Sequence, residues 1–220
     1  FVNELTPSDK QWLNRQSFTG KTGQIAWLEN GQGIIGSSSE DSLSTLGHLP
    51  YQLPEGVYRL TDDASFIALL GWGLGGYRFD RYKQADRLPA QLILPDSADA
   101  GELVHTIKAT NLSRDLINTP AQDMAPSHLQ AEVEALAETF AAEVNTTVGD
   151  ELLDLECGAI HAVGRAAADG PRLMDLTWGD PDHPKITIVG KGVTFDSGGL
   201  NMKPSSGMRW MKKDMGGAAI

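Results

Sequence analysis

The sequence predicts an α/β fold: a small N-terminal α/β domain, a connecting helix, then the first part of a mainly parallel sheet with flanking helices. Three observations carry this. Short apolar, β-branched runs alternate with longer segments of helical periodicity, the pattern of strands covered by helices. The small, polar stretch Asp96-Ser-Ala-Asp-Ala-Gly101 interrupts the alternation and marks a boundary. Beyond it, residues 119–220 run strand, helix, strand. Ile186-Thr-Ile-Val189 there has the unbroken β-branched character expected of a buried central strand. Residues 1–100 are therefore read as the N-terminal domain, 101–118 as the connecting helix and 119–220 as the second domain.

Each element has its own signal. Gln24–Leu28 and Gly33–Ile35 flank Glu29-Asn-Gly-Gln32, a β-hairpin around an Asn-Gly turn. Val57–Leu60 reads as the next strand, after which Asp62 or Asp63 caps a helix through Ala64–Leu70 that continues to Lys83. Gly71-Trp-Gly-Leu-Gly-Gly76 lies in that helix without a preceding strand, so it marks close helix packing and not a dinucleotide loop. Ala90–Leu94 is a strand stopped by Pro95. Leu103, Ile107, Leu112 and Leu116 stand near helical spacing, and Thr119-Pro120 ends that helix, because the residue before proline avoids helical dihedrals. Pro126-Ser127 opens the clearest helix, with Ser127 and Gln130 at capping-box spacing. Its stripe of Leu129, Val133, Leu136 and Phe140 is assigned to the core. A strand at Val144–Val148, a helix from about Asp150, and strands at Arg172–Trp178 and Lys185–Val189 complete the order.

Composition narrows the function. The 220 residues are 40% hydrophobic and 21% charged, an ordinary globular balance. A formal charge of −11 argues against nucleic acid as a partner, since such binding relies on Lys and Arg neutralising phosphates. Cys157 is the single cysteine; it forms no disulfide within the chain, reads as a small core residue, and fits the reducing cytoplasm. Phe1–Pro7 has neither the basic nor the apolar part of a secretory signal. No window approaches the ~20 apolar residues of a membrane helix, so no membrane partner is expected. The chain starts without Met and stops three residues past Gly217, which reads as part of a longer protein.

The chemistry concentrates near the C-terminal end. Val189–Pro204 and Lys213–Gly217 place Lys191, Asp196, Lys203 and Asp214 in one glycine-dense segment after an apolar strand. Either aspartate alone is an ordinary turn residue. Together with two lysines they form the mixture needed when carboxylate oxygens hold cations while an ammonium polarises a carbonyl. Lys191, between two glycines at a strand end, is expected to be buried; desolvation would favour its neutral amine, which can ligate a metal. Ligand sites on parallel sheets gather at such strand ends. Rival motifs fail: there is no complete phosphate loop, no His-Glu-x-x-His helix and no nucleophile elbow. His48, His105, His128, His161 and His183 are scattered and are assigned to surface or core.

The run Gly190–Gly199, with Lys203-Pro204 and Lys213–Ala219, closely resembles the leucyl (cytosol) aminopeptidases, the M17 metallopeptidases. Tyr77–Lys83 and Asn111–Pro120 add to the resemblance, which covers residues 70–220 well and the first 70 loosely. It implies release of N-terminal residues from peptides with a free amino terminus, by a water activated between two divalent ions. By that resemblance Lys191 ligates the tightly held metal, Asp196 bridges both, and Asp214 binds the tight metal near the substrate amine. Lys203 is the catalytic lysine and Met211 lines the pocket for the N-terminal side chain, although Met211 is as readily a core residue. Zinc or manganese is the expected metal, with magnesium and cobalt also compatible. A homo-hexamer is implied as well. The family's second motif, Asn-Thr-Asp-Ala-Glu-Gly-Arg, supplies further ligands and the arginine holding bicarbonate as general base, and it falls beyond Ile220. Residues 1–220 are therefore expected to be inactive alone. The alternative is a non-catalytic homologue serving as a scaffold or interaction subunit, against which the four intact side chains weigh.

Overall fold

The computed structural model describes residues 5–37 and 40–220. The chain divides into two compact units, Phe1–Asn111 and Leu112–Ile220.

In the first unit, α1 (Pro7–Arg15) starts at Thr6, whose hydroxyl accepts the Asp9 N–H while the Asp9 carboxylate accepts the Thr6 N–H. This reciprocal cap satisfies donors that a helix start otherwise leaves open. Strands β1 (Ile25–Trp27) and β2 (Gly33–Ile35) form the expected antiparallel hairpin, with Gly31 at φ +85° in the turn. Two single-turn helices, α2 (Ser44–Gly47) and α3 (Leu49–Gln52), precede β3 (Val57–Arg59). Helix α4 (Phe66–Gly75) then leads to β4 (Gln91–Ile93), which pairs with β3 in parallel. The helix cap differs from expectation. Ser65, not Asp62 or Asp63, caps α4 through its hydroxyl, and the helix stops at Gly75 instead of Lys83.

The glycines of α4 serve the packing predicted for them. A Cβ on Gly71 would lie 2.1 Å from the Leu43 carbonyl oxygen, and one on Gly75 would lie 1.9 Å from that of Gly47. Helices α2 and α4 thus touch backbone to backbone. Around them Leu46, Leu49, Leu53, Ala68, Leu69, Trp72, Ala90 and Leu103 form the main core of the unit, and Leu13, Ala26, Leu28 and Ile34 a smaller one. Leu103 comes from α5 (Ala100–Asn118), within which the division between the units falls.

The second unit continues with α6 (Pro126–Phe140), β5 (Glu143–Val148), α7 (Glu151–Asp154), α8 (Gly158–Gly164) and β6 (Arg172–Thr177). Strands β5 and β6 pair antiparallel, in register from Glu143↔Thr177 to Val148↔Arg172. Leu116, Met124, Leu129 and Met215 form the core of this unit.

Several local expectations give way here. Ser127 and Gln130 form no capping box: the Ser127 N–H donates to Asp169 and the Ala125 N–H to Nδ1 of His128. Gln130 instead meets Glu134 and Arg172. Leu129 is buried, but Leu136 and Phe140 of the same stripe are exposed. Ile186–Val189 lies in no strand, and Ile186, Ile188 and Val189 are 85%, 92% and 91% exposed. A central strand needs a ladder partner on each side, and the strands described in this unit, β5 and β6, pair with one another. No described helix is long and apolar enough to cross a membrane.

Candidate active site

The site is built on two loops of the second unit. In the first, Gly190-Lys191 runs against the turn that becomes α10 (Gly216–Ala219), which follows α9 (Ser205–Arg209) and a 3-10 turn at Met211–Lys213. Gly190 comes so close that an added Cβ would sit 2.6 Å from the Gly217 oxygen, and the Ala218 N–H donates to the Lys191 carbonyl at 3.0 Å. The Ser113 hydroxyl pins Ala219 at 2.6 Å, and Lys212 reaches the end of α5 at Asn118. This clamp brings Lys191 Nζ within 2.8 Å of Asp214 Oδ1.

The second loop is Asp196–Lys203. Gly198 and Gly199 take φ +94° and +66°, conformations that side chains resist. The chain thereby folds back so that the Gly198 N–H donates to Asp196 Oδ1 at 2.7 Å. The Lys203 N–H closes the loop on the Ser197 carbonyl at 2.9 Å. Lys203 Nζ then spans the loop, donating to Asp196 Oδ2 at 2.7 Å and to the Asp196 carbonyl at 3.0 Å.

The hydrogen bond from Lys203, followed by that from Gly198, holds the Asp196 carboxyl below its ordinary value of 3.8. Desolvation opposes the shift, while the charges of Lys203 and Lys191 reinforce it. Lys191 therefore acts electrostatically on both aspartates, bonded to one and attracting the other. The four residues singled out in the sequence lie together as two ion pairs, Lys191–Asp214 and Lys203–Asp196.

One detail differs from expectation. The Lys191 side chain is 61% exposed, not buried, because the segment leading into it lies open. Met211, for which the sequence left both a pocket and a core reading open, is 6% exposed. Sequence reasoning missed the Gly190–Gly217 approach and the Ser113 tether. A glycine on each side of the first contact was the available signal; a serine in mid-helix carries none.

As cation donors these groups fit one side of a site. Asp196 and Asp214 offer hard carboxylate oxygens, Asp214 Oδ2 accepts no hydrogen bond from the described residues, and a deprotonated Lys191 would add an amine. Among the described residues no three His, Cys, Asp or Glu side chains gather into a metal-holding group.

Comparison with known proteins finds relatives of both units. Residues 111–220 match the catalytic domain of the cytosol aminopeptidase family, and residues 1–95 match the M17 aminopeptidase N-terminal domain. A probable cytosol aminopeptidase of Halorhodospira halophila is 40% identical over 159 residues, 65% of this chain and 32% of that protein. One of Persephonella marina is 36% identical and aligns with 94% of this chain and 50% of its own length. The crystal structure of the Coxiella burnetii cytosol aminopeptidase superposes with a TM-score of 0.90 at 41% identity, covering 99% of this chain and 50% of that one. The bottromycin maturation enzyme BotP, solved in complex with Mn, gives 0.76 at 30% identity over 94% of this chain and 50% of its own. This chain thus spans between a third and a half of the length of these relatives. Its α/β architecture is theirs, and the chain belongs to the cytosol aminopeptidase family, M17.

Proposed function

We propose that this chain contributes the N-terminal part and the first half of the active site of a metal-dependent leucyl aminopeptidase. The observation that carries the reading is the meeting of Lys191 with Asp214 and of Lys203 with Asp196, inside the stretch matching the family's catalytic domain. In this reading Lys191, Asp196 and Asp214 hold divalent ions, zinc or manganese first, and Met211 borders the pocket for the N-terminal side chain. Bound there, the ions would supply Lewis acidity and an activated water.

The chain's own residues prepare the rest. Asp196 fixes the Lys203 ammonium at the loop mouth, where its charge can draw on a substrate carbonyl oxygen. Asp214 keeps one oxygen available for the α-ammonium of a peptide, which would account for removal of single terminal residues. Lys191 must give up a proton before its nitrogen can act as a donor, so loading of the site releases acid. Peptides with free N-termini are the substrates, the cytoplasm the compartment and a homo-hexamer the assembly. Bicarbonate is the base held by residues outside this chain. Residues 1–220 alone turn over no substrate, because two carboxylates and one amine cannot complete a two-ion site.

The test is hydrolysis of leucine p-nitroanilide by this chain and by the protein extended to the length of its relatives, with Mn²⁺ or Zn²⁺ and with chelator. The extended protein should be active, lose activity to chelator, and lose it again in Lys203→Ala and Asp196→Ala. Inactivity toward every amino-acid amide by a folded, metal-loaded protein would replace this reading with the non-catalytic scaffold.

A further inference from the structure

We infer that the first unit carries a second peptide-binding site, a cleft that takes an extended, basic segment as an added strand. The inference is separate from the aminopeptidase reading and uses none of its residues. The cleft has a volume of about 880 Å³, within the range of ligand sites. It is lined by the whole of β2 on one side and the whole of β3 on the other.

Among the described residues both strands present backbone groups without a ladder partner. In the hairpin, Leu28 donates to Gln32 and Gly36 to Gln24, so the alternation of an antiparallel ladder turns the N–H and C=O groups of Gly33 and Ile35 away from β1. On β3, the Gly56 carbonyl accepts from Gln91, which leaves Val57 and Arg59 facing away from β4. Among the described residues each sheet has two strands, β2 pairing with β1 and β3 with β4. Val57 is 64% exposed. Unpaired strand edges of this kind are templates for another strand.

Charge selects the occupant. Asp41, Asp62 and Asp63 line the cleft, with Arg59 as the opposing cation. Asp62 and Asp63 cap no helix, since Ser65 does that. The rings of Trp27 and Tyr58, with centroids 6.4 Å apart, add faces on which an ammonium can rest. Backbone edges call for an extended chain, and the carboxylates and rings for lysine or arginine on it.

The test is fluorescence anisotropy with the 220-residue chain and fluorescein-labelled acetyl-Val-Lys-Val-Lys-Val-amide. The acetyl group removes the free amine that an aminopeptidase needs, so this result and that of the hydrolysis assay are independent. The lysine peptide should bind saturably, while its glutamate counterpart and a form N-methylated on alternate amides should not. Asp62→Asn with Asp63→Asn should weaken binding about three- to tenfold, the range for two exposed charge pairs. Val57→Pro should weaken it by removing an outward donor, without touching the ladder to β4. Unchanged circular dichroism and melting would show that both variants fold. Absence of saturable binding, or equal binding of the N-methylated peptide, would overturn the proposal.

Discussion

Gly190 and Gly217 meet backbone to backbone: a methyl group on Gly190 would lie 2.6 Å from the Gly217 oxygen, with Ala218 Cα only 2.7 Å away. Neither obstacle is a flexible side-chain end. The contact places Lys191 opposite Asp214, so it links packing directly to the geometry of the site. Gly190→Ala should therefore cost about 1–3 kcal/mol of stability and loosen the Lys191–Asp214 pair. Gly158→Ala, where an added methyl meets nothing within 4 Å, is the control and should leave stability unchanged or slightly raised. Urea denaturation of the two variants separates the cases.

The same physics governs the first unit. Gly71→Ala and Gly75→Ala would drive a methyl into the Leu43 and Gly47 carbonyls, and the backbone of α2 must move to admit it. Each should destabilise by about 1–3 kcal/mol. Gly101→Ala, which meets only the end of the Asp99 side chain at 3.4 Å, should not. Calorimetric melting compares all three.

Asp169 gives a pH signature. Burial, the largest single influence, raises its carboxyl, but hydrogen bonds from Ser127 and Arg172 and the charge of Arg172 together outweigh it and hold the group below 3.8. The folded state thus binds this proton less readily than the unfolded chain. The stabilisation is full at neutral pH, begins to fade as pH drops toward 3.8, and is lost once pH passes below the depressed folded value. Asp169→Asn should cost about 1–2 kcal/mol at pH 7. Its deficit relative to the parent should shrink on going to pH 3. Equal deficits at both pH values would show that the carboxylate charge is irrelevant.

The two members of the Lys203–Asp196 pair should separate functionally in the extended protein. Lys203→Ala should reduce kcat on the order of a hundred- to a thousandfold, comparable to loss of one preorganised donor, with metal content preserved. Asp196→Ala should lose metal affinity as well, visible by calorimetric titration with Mn²⁺. Loss of metal from both variants alike would mean that Lys203 acts through folding of its loop and not on the substrate.

What could be read from the sequence, and what could not, follows from the range of each interaction. The hairpin around Asn30-Gly31 and the long helices α5 and α6 were legible because turn chemistry and periodicity are local. Helix α1 was legible in principle from Thr6-Pro-Ser-Asp9 and was missed; single-turn α2 and α3 have no period to show. Apolar Ile186–Val189 signalled a demand for burial without naming a strand partner, and no described strand meets it. At the site, the density of Lys191, Asp196, Lys203 and Asp214 stood out. Which lysine pairs with which aspartate did not, since Lys191 and Asp214 are brought together across 23 positions by glycine contacts.

The open Ile186–Val189 run also shapes how the chain behaves as a colloid. It offers neighbouring molecules a β-branched, nearly uncharged segment suited to stacking. At neutral pH a net charge of −11 keeps molecules apart. Near pH 4.8 that repulsion vanishes, so concentrated solutions should turn cloudy fastest there and clear again on either side.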